Sequence, residues 1–124
     1  MAQRKPRVVF VVDDERIICQ TLAAILRQAG FAASAFDNAQ SAIEGAEFAP
    51  PDLLITDVIM PGMSGIELAI LFRGKWPECK ILLFSGQAIT ADLLEEARQS
   101  GHQFDILAKP IHPTELLAKL NELG

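Results

Sequence analysis

Pro50-Pro51-Asp52-Leu53-Leu54-Ile55-Thr56-Asp57-Val58-Ile59-Met60-Pro61-Gly62-Met63-Ser64-Gly65 is the stretch on which the fold turns. Its two leading prolines forbid helix and push the chain into extended backbone. The run over 53–56 does not alternate apolar with polar residues, as a half-buried strand would. It reads as a strand covered on both faces, the mark of a parallel sheet flanked by helices. Asp57 ends the run, and Pro61-Gly62 turns the chain towards a helix that begins near Ser64 and stops before Pro77.

The same rhythm recurs outward in both directions. Short apolar runs stand at 8–12, 32–36, 81–84 and 105–108, separated by segments of helical length and spacing. The first of these keeps Ile17, Ile18, Thr21, Leu22, Ile25 and Leu26 on an i, i+4 stripe, with Gly30 as its stop. A second helix is expected from about 38 to 47, capped by Asp37 or Asn38. A fourth covers roughly 90–100, with Thr90 as cap and Gly101 as stop. A fifth carries Pro113 in its first turn and contains Leu116, Leu117, Leu120 and Leu123. Five strands alternating strictly with five helices make an α/β fold, a doubly wound five-stranded parallel sheet. Its ligand site lies outside the carboxyl ends of the strands.

The 124 residues are enough for one domain, expected to span 1–124. Half of them are apolar and 22% charged, which excludes a disordered tail. Sixteen acids against eleven Lys and Arg give a net charge of −5. Such a chain is repelled by nucleic acid and by anionic membrane, so neither is an expected direct partner. No segment approaches the ~18–20 apolar residues of a membrane span. The basic start followed by residues 8–12 falls short of the ~7–15 apolar residues of a signal peptide. The chain is therefore expected to start near Met1 and to stay in the cytoplasm. Cys19 and Cys79, sixty residues apart, are expected to be reduced and buried.

The sheet-edge rule turns a scatter of acids into a site. Asp13 and Asp14 follow the first strand, Asp57 the third, Ser85 the fourth and Lys109 the fifth, all on one edge of the sheet. Acids placed for solubility would fall on helix surfaces instead. Three carboxylates gathered within a few ångströms repel one another, and Lys109 offsets one charge. A divalent ion would offset the other two. A small all-oxygen ligand set suits Mg²⁺, which is held by one or two carboxylates and by phosphate. Asp57 is then a candidate nucleophile for a phosphoryl group. Taken singly, Asp57 would read as the opening of a turn; the five residues together speak against that.

Val11-Val12-Asp13-Asp14-Glu15, the stretch from Pro51 to Gly65, Phe84-Ser85-Gly86 and Ala108-Lys109-Pro110 resemble the receiver domain of bacterial two-component response regulators. The resemblance covers nearly the whole chain, about 7–123, and its motifs stand in order at the family's spacing. It implies the flavodoxin-like strand order 2-1-3-4-5. It implies Asp57 as phosphoacceptor. It implies Mg²⁺ ligated by Asp14, Asp57 and the backbone carbonyl of Ile59, with Asp13 acting through water. Lys109 would hold the phosphoryl oxygens, Ser85 would hydrogen-bond the phosphoryl group and draw the next loop with it, and Gly86 would leave room. Lys109-Pro110 would be cis. The implied donor is a histidine kinase or a histidine phosphotransfer protein. The implied readout is a changed surface for a downstream partner that the residues do not identify, or a phosphorylation-dependent homodimer. Such a domain is no enzyme in the ordinary sense, although it assists its own phosphorylation and dephosphorylation. The sequence departs from the family at Ile106, where an aromatic switch residue commonly stands, with Phe104 two positions earlier on the same strand face.

Two other classes share the architecture. A haloacid-dehalogenase-like phosphatase also uses a strand-end aspartate, but needs an Asp-x-Asp pair after the first strand, where this chain has adjacent Asp13-Asp14. A flavodoxin-like cofactor binder wants a Ser/Thr/Gly-rich phosphate loop there. His102 and His112 read as solvated loop residues and Trp76 as ordinary core. The wide apolar arc of the third helix reads as buried more readily than as a partner surface.

Overall fold

The computed structural model describes residues 6–86 and 90–123. Strands and helices alternate along the chain: β1 (Val8–Val12), α1 (Arg16–Gln28), β2 (Ala32–Phe36), α2 (Ala39–Phe48), β3 (Leu53–Asp57), α3 (Gly65–Lys75), β4 (Lys80–Ser85), α4 (Thr90–Gln99), β5 (Asp105–Ala108) and α5 (Pro113–Leu123). The strands pair in parallel in the order β2-β1-β3-β4-β5. This is the doubly wound, flavodoxin-like sheet that the sequence rhythm and the resemblance led one to expect.

Register aligns the carboxyl ends. Val12 lies opposite Thr56, Asp57 opposite Phe84 and Ser85 opposite Ala108. Two strands run further than their apolar residues suggest. β3 includes Asp57 and β4 includes Ser85, because both residues still pair in the ladder.

Alternate residues of the central strands feed two cores. Val9, Val11, Leu53, Ile55, Leu82 and Phe84 face α1 and α5, where they meet Leu22, Leu26, Leu116 and Leu120. Phe10, Val12, Leu54, Ile81 and Leu83 face the other side, with Ile43, Leu68 and Phe72. All five residues of β3 are buried. Burial on both faces is why these runs lack the polar alternation of a half-exposed strand.

Local signals set the helix ends. Asn38, rather than Asp37, caps α2, its side chain accepting from the Ser41 amide at 2.8 Å. Ser64 and Glu67 form a reciprocal capping box at the start of α3, at 3.1 and 3.0 Å. Gly30 and Gly101 take positive φ after α1 and α4, as their stop roles require. Thr90 is the first residue of α4; its side chain, expected as the cap, and residues 87–89 before it lie outside what the structure describes.

The apolar stripe of α1 is broader than its buried face. Cys19, Leu22, Ala23 and Leu26 are buried, whereas Ile17 is 80% exposed. One helix face can point at the sheet, and Ile17 falls off it. On α3 the wide arc is largely covered: Ile66, Leu68, Ala69 and Phe72 are buried and Ile70 and Leu71 half-buried. Trp76 packs edge-on against Phe72 at 4.7 Å. Both cysteines are buried and unbridged.

Candidate functional site

Each candidate residue reaches the site from the end of a strand. Asp13 follows β1, its amide donating to the Phe36 carbonyl at 3.1 Å. Its side chain is fully buried, and Oδ1 accepts from the Glu15 amide at 2.9 Å, ahead of α1. Asp14 is exposed beside it. Asp57 closes β3 and is 7% exposed. Asp13, Asp14 and Asp57 each offer a carboxylate oxygen within 4.8 Å of the others.

Lys109 comes from the far side. Its amide is held by the Ser85 carbonyl at 2.9 Å, and the Lys109-Pro110 bond is cis. Its Nζ lies 3.2 Å from Asp57 Oδ2, 3.5 Å from Asp13 Oδ2 and 5.1 Å above the Phe84 ring. Ser85, Gly86, Ile59 and Glu15 join Asp14, Asp57 and Lys109 around an open cleft of about 390 Å³. Gly86 makes room chiefly for the lysine: a Cβ added there would meet Lys109 Cβ at 3.1 Å. The resemblance had suggested room for phosphate.

The charges are unevenly satisfied. Burial pushes the Asp13 carboxyl above its ordinary pKa; the Glu15 amide and Lys109 pull it back, and Asp57 and Asp14 push it further up. Burial also opposes the charge on Lys109, but the Asp57 and Asp13 carboxylates outweigh it and hold the ammonium above its usual range. The two ion pairs thus favour the charged lysine without offsetting the burial of Asp13. Asp13 Oδ2 shows why: it is buried and makes no hydrogen bond. A buried carboxylate oxygen without a hydrogen bond is costly, and the Lys109 ammonium 3.5 Å away, shared with Asp57, offsets only part of that cost. A buried oxygen without a hydrogen bond, three convergent carboxylates and one lysine beside them among the described residues fit a divalent cation, and an all-oxygen donor set fits Mg²⁺.

Several features around the site go beyond the sequence-based expectations. Thr56 is buried and its hydroxyl donates to the Asp57 carbonyl at 3.0 Å; it looked like one more strand residue. Beside the acidic cleft lies an apolar groove of about 560 Å³, shared by Ile17, Ile18 and Ile25 of α1 with Pro110 and Ile111. The excess apolar residues of α1 were its signal. Ile106 is 37% exposed on β5, and Phe104 sits one residue before the strand rather than on it. The Phe104 ring is held by the Arg73 guanidinium at 4.3 Å and stacks on His102 at 6.3 Å. His102 is therefore half-buried, not merely solvated, while His112 is exposed.

A parallel sheet with acids at the carboxyl ends of β1 and β3 and a lysine after β5 defines a class. The chain belongs to the response regulator receiver domain family, whose model matches residues 9–121. The receiver protein CpdR of Brucella abortus is 31% identical over 115 residues, which are 93% of this chain and 94% of CpdR. The transcriptional regulatory protein CreB of Escherichia coli is also 31% identical, over 93% of this chain but 49% of its own length. The chain thus spans nearly all of one relative and about half of another. The chemotaxis response regulator CheY4 of Vibrio cholerae superposes with a TM-score of 0.83 at 27% identity, covering 96% of this chain and 99% of that one. No helix among the described residues is long and apolar enough to cross a membrane.

Proposed function

We propose that this chain is a phosphoacceptor switch in which Asp57 takes a phosphoryl group from a phosphohistidine of a histidine kinase or histidine phosphotransfer protein. The observation that carries the reading is Asp57 itself: a nearly buried strand-end carboxylate, 3.2 Å from the Lys109 ammonium and grouped with Asp13 and Asp14. An Asp57 oxygen attacks phosphorus, an O–P bond forms and the N–P bond breaks. The electron pair leaves on the imidazole nitrogen, which takes a proton from water. Lys109 would balance charge on the transferring oxygens, in the manner general to phosphoryl transfer.

Asp14, Asp57 and the carbonyl of Ile59 would hold Mg²⁺, with Asp13 engaging it through water. When bound, the ion supplies charge neutralisation between carboxylate and phosphoryl oxygens. Ser85, half-buried at the end of β4, would hydrogen-bond the arriving phosphoryl group and draw residues 86–90 with it. The groove between α1 and Pro110-Ile111, with Ile17 at its rim, offers an apolar seat for the donor beside the acceptor. A cytoplasmic location follows from such a donor.

The phosphatase alternative is not favoured. Its nucleophile would follow β1 in an Asp-x-Asp pair, and the family match is to receivers. The test combines acetyl phosphate with Mg²⁺. We expect stoichiometric labelling that EDTA abolishes, and no turnover of a generic phosphatase substrate. Equal labelling with and without metal would refute the Mg²⁺ role, and sustained turnover would restore the phosphatase.

A further inference from the structure

Gly65 opens α3 and sits against the Asp57–Val58 backbone. Its amide donates to the Val58 carbonyl at 2.8 Å. The same backbone comes so close that a Cβ built on Gly65 would lie 1.8 Å from the Asp57 carbonyl oxygen, 2.7 Å from the Asp57 carbonyl carbon and 3.0 Å from Val58 Cα. These are backbone atoms, with no flexible side-chain end among them to swing aside. A methyl group needs more than 3 Å from its neighbours, so any side chain at 65 would drive α3 and the Asp57–Val58 peptide apart by more than 1 Å.

Neither partner can yield freely. α3 is anchored by Leu68, Ala69 and Phe72, all fully buried, and its first turn is closed by the Ser64–Glu67 box. The Asp57–Val58 peptide is anchored by the Thr56 hydroxyl on the Asp57 carbonyl and by the Val58 amide on Phe84 at 3.2 Å. That peptide lies between the Asp57 carboxylate and the Ile59 carbonyl. A displacement there moves both groups relative to Lys109, Asp13 and Asp14, which come from other strands.

We infer that Gly65 is a positioning residue for phosphoryl acceptance: by having no side chain it lets α3 seat directly on the Asp57 peptide and so sets the reach of the Asp57 carboxylate to Lys109 and to the cation. The inference rests on the reading of Asp57 as phosphoacceptor. Gly65 touches no reacting atom. A displacement of about 1 Å at a reacting group is of the size that costs on the order of a hundredfold in rate.

The experiment compares wild type, Gly65→Ala and Gly74→Ala. Gly74 lies in the same helix with nothing within 4 Å of an added Cβ, so it controls for the substitution itself. Each protein is titrated with Mg²⁺ alone by calorimetry, then labelled with acetyl phosphate, at a temperature where circular dichroism shows it fully native. We expect Gly74→Ala to match wild type, and Gly65→Ala to bind Mg²⁺ at least tenfold more weakly and to label about tenfold to a hundredfold more slowly while native. Lost stability with unchanged Mg²⁺ affinity and labelling rate would reduce Gly65 to a packing residue and overturn the inference. Failure of wild type to label would instead overturn the phosphoacceptor reading. Should Gly65→Ala not fold, wild-type amide shifts decide: Mg²⁺ must move Gly65 and Ile66 along with Asp57 and leave Gly74 still, and a silent Gly65 overturns the inference.

Discussion

β3 and β5 end on the same edge of one sheet, yet they are built differently. β3 is buried along all five residues, clamped between β1 and β4 and covered by helices on both faces. β5 is four residues at the sheet's edge, with Asp105, Ile106 and Ala108 exposed. The strand that carries the proposed acceptor is thus set in the most constrained part of the molecule. The strand that leads to Lys109 borders the surface on which a change could be read. On the proposed function, the acceptor chemistry would lie where packing fixes positions and the readout where movement is cheap.

Stability offers the largest contrast. Leu54→Ala should cost about 2–5 kcal/mol in chemical denaturation, because a fully buried side chain leaves a cavity. Ile106→Ala should stay within about 0.5 kcal/mol. Comparable losses would mean that β5 is as constrained as β3.

Metal binding sharpens the comparison within the site. Asp14→Ala should weaken Mg²⁺ by at least about tenfold if Asp14 is the direct ligand proposed. Asp13→Ala should weaken it less. Lys109→Ala should keep Mg²⁺ binding, since a like charge is removed, and lose the response to phosphorylation. Calorimetric titration separates the three, and an Asp13 effect larger than that of Asp14 would reverse their roles.

Backbone chemical shifts on adding beryllofluoride and Mg²⁺ probe the readout side. Ile106 is stiff at χ1 and too short to swing as a ring would. Phe104 already contacts Arg73 and His102. Shifts should therefore be largest at residues 85–90 and smaller on α4 and β5. Equal shifts would show that Ile106 or Phe104 transmits the change.

The smallest effect concerns Cys79, at the opposite edge of the packed half. Burial, reinforced by Asp52, pushes its thiol from 9.0 up to about 12. The folded state holds this proton longer than the unfolded state, so the contribution of this thiol to stability falls as pH rises from 9 towards 12. At pH 8 only about one thiol in ten thousand is thiolate. Iodoacetamide should leave Cys79 unmodified in the native protein and modify it in urea.

The sheet was legible because burial on both faces erases alternation, and five short apolar runs show that directly. The candidate site was legible because its residues follow those runs. What depends on the third dimension was not. Ile17 sits in the same apolar stripe as Leu22, and only the direction of α1 separates an exposed residue from a core one. Phe104 was placed on the strand because spacing cannot show that pairing starts at Asp105. The near-contact of Gly65 with Asp57 is a meeting of backbones that no side-chain pattern announces.

The most direct test of the central claim is intact mass after incubation with acetyl phosphate and Mg²⁺. The account predicts one phosphoryl adduct on the wild-type chain, lost on mild base treatment as an acyl phosphate should be, and absent from Asp57→Asn. An adduct of the same yield on Asp57→Asn, or one that survives base, would contradict it.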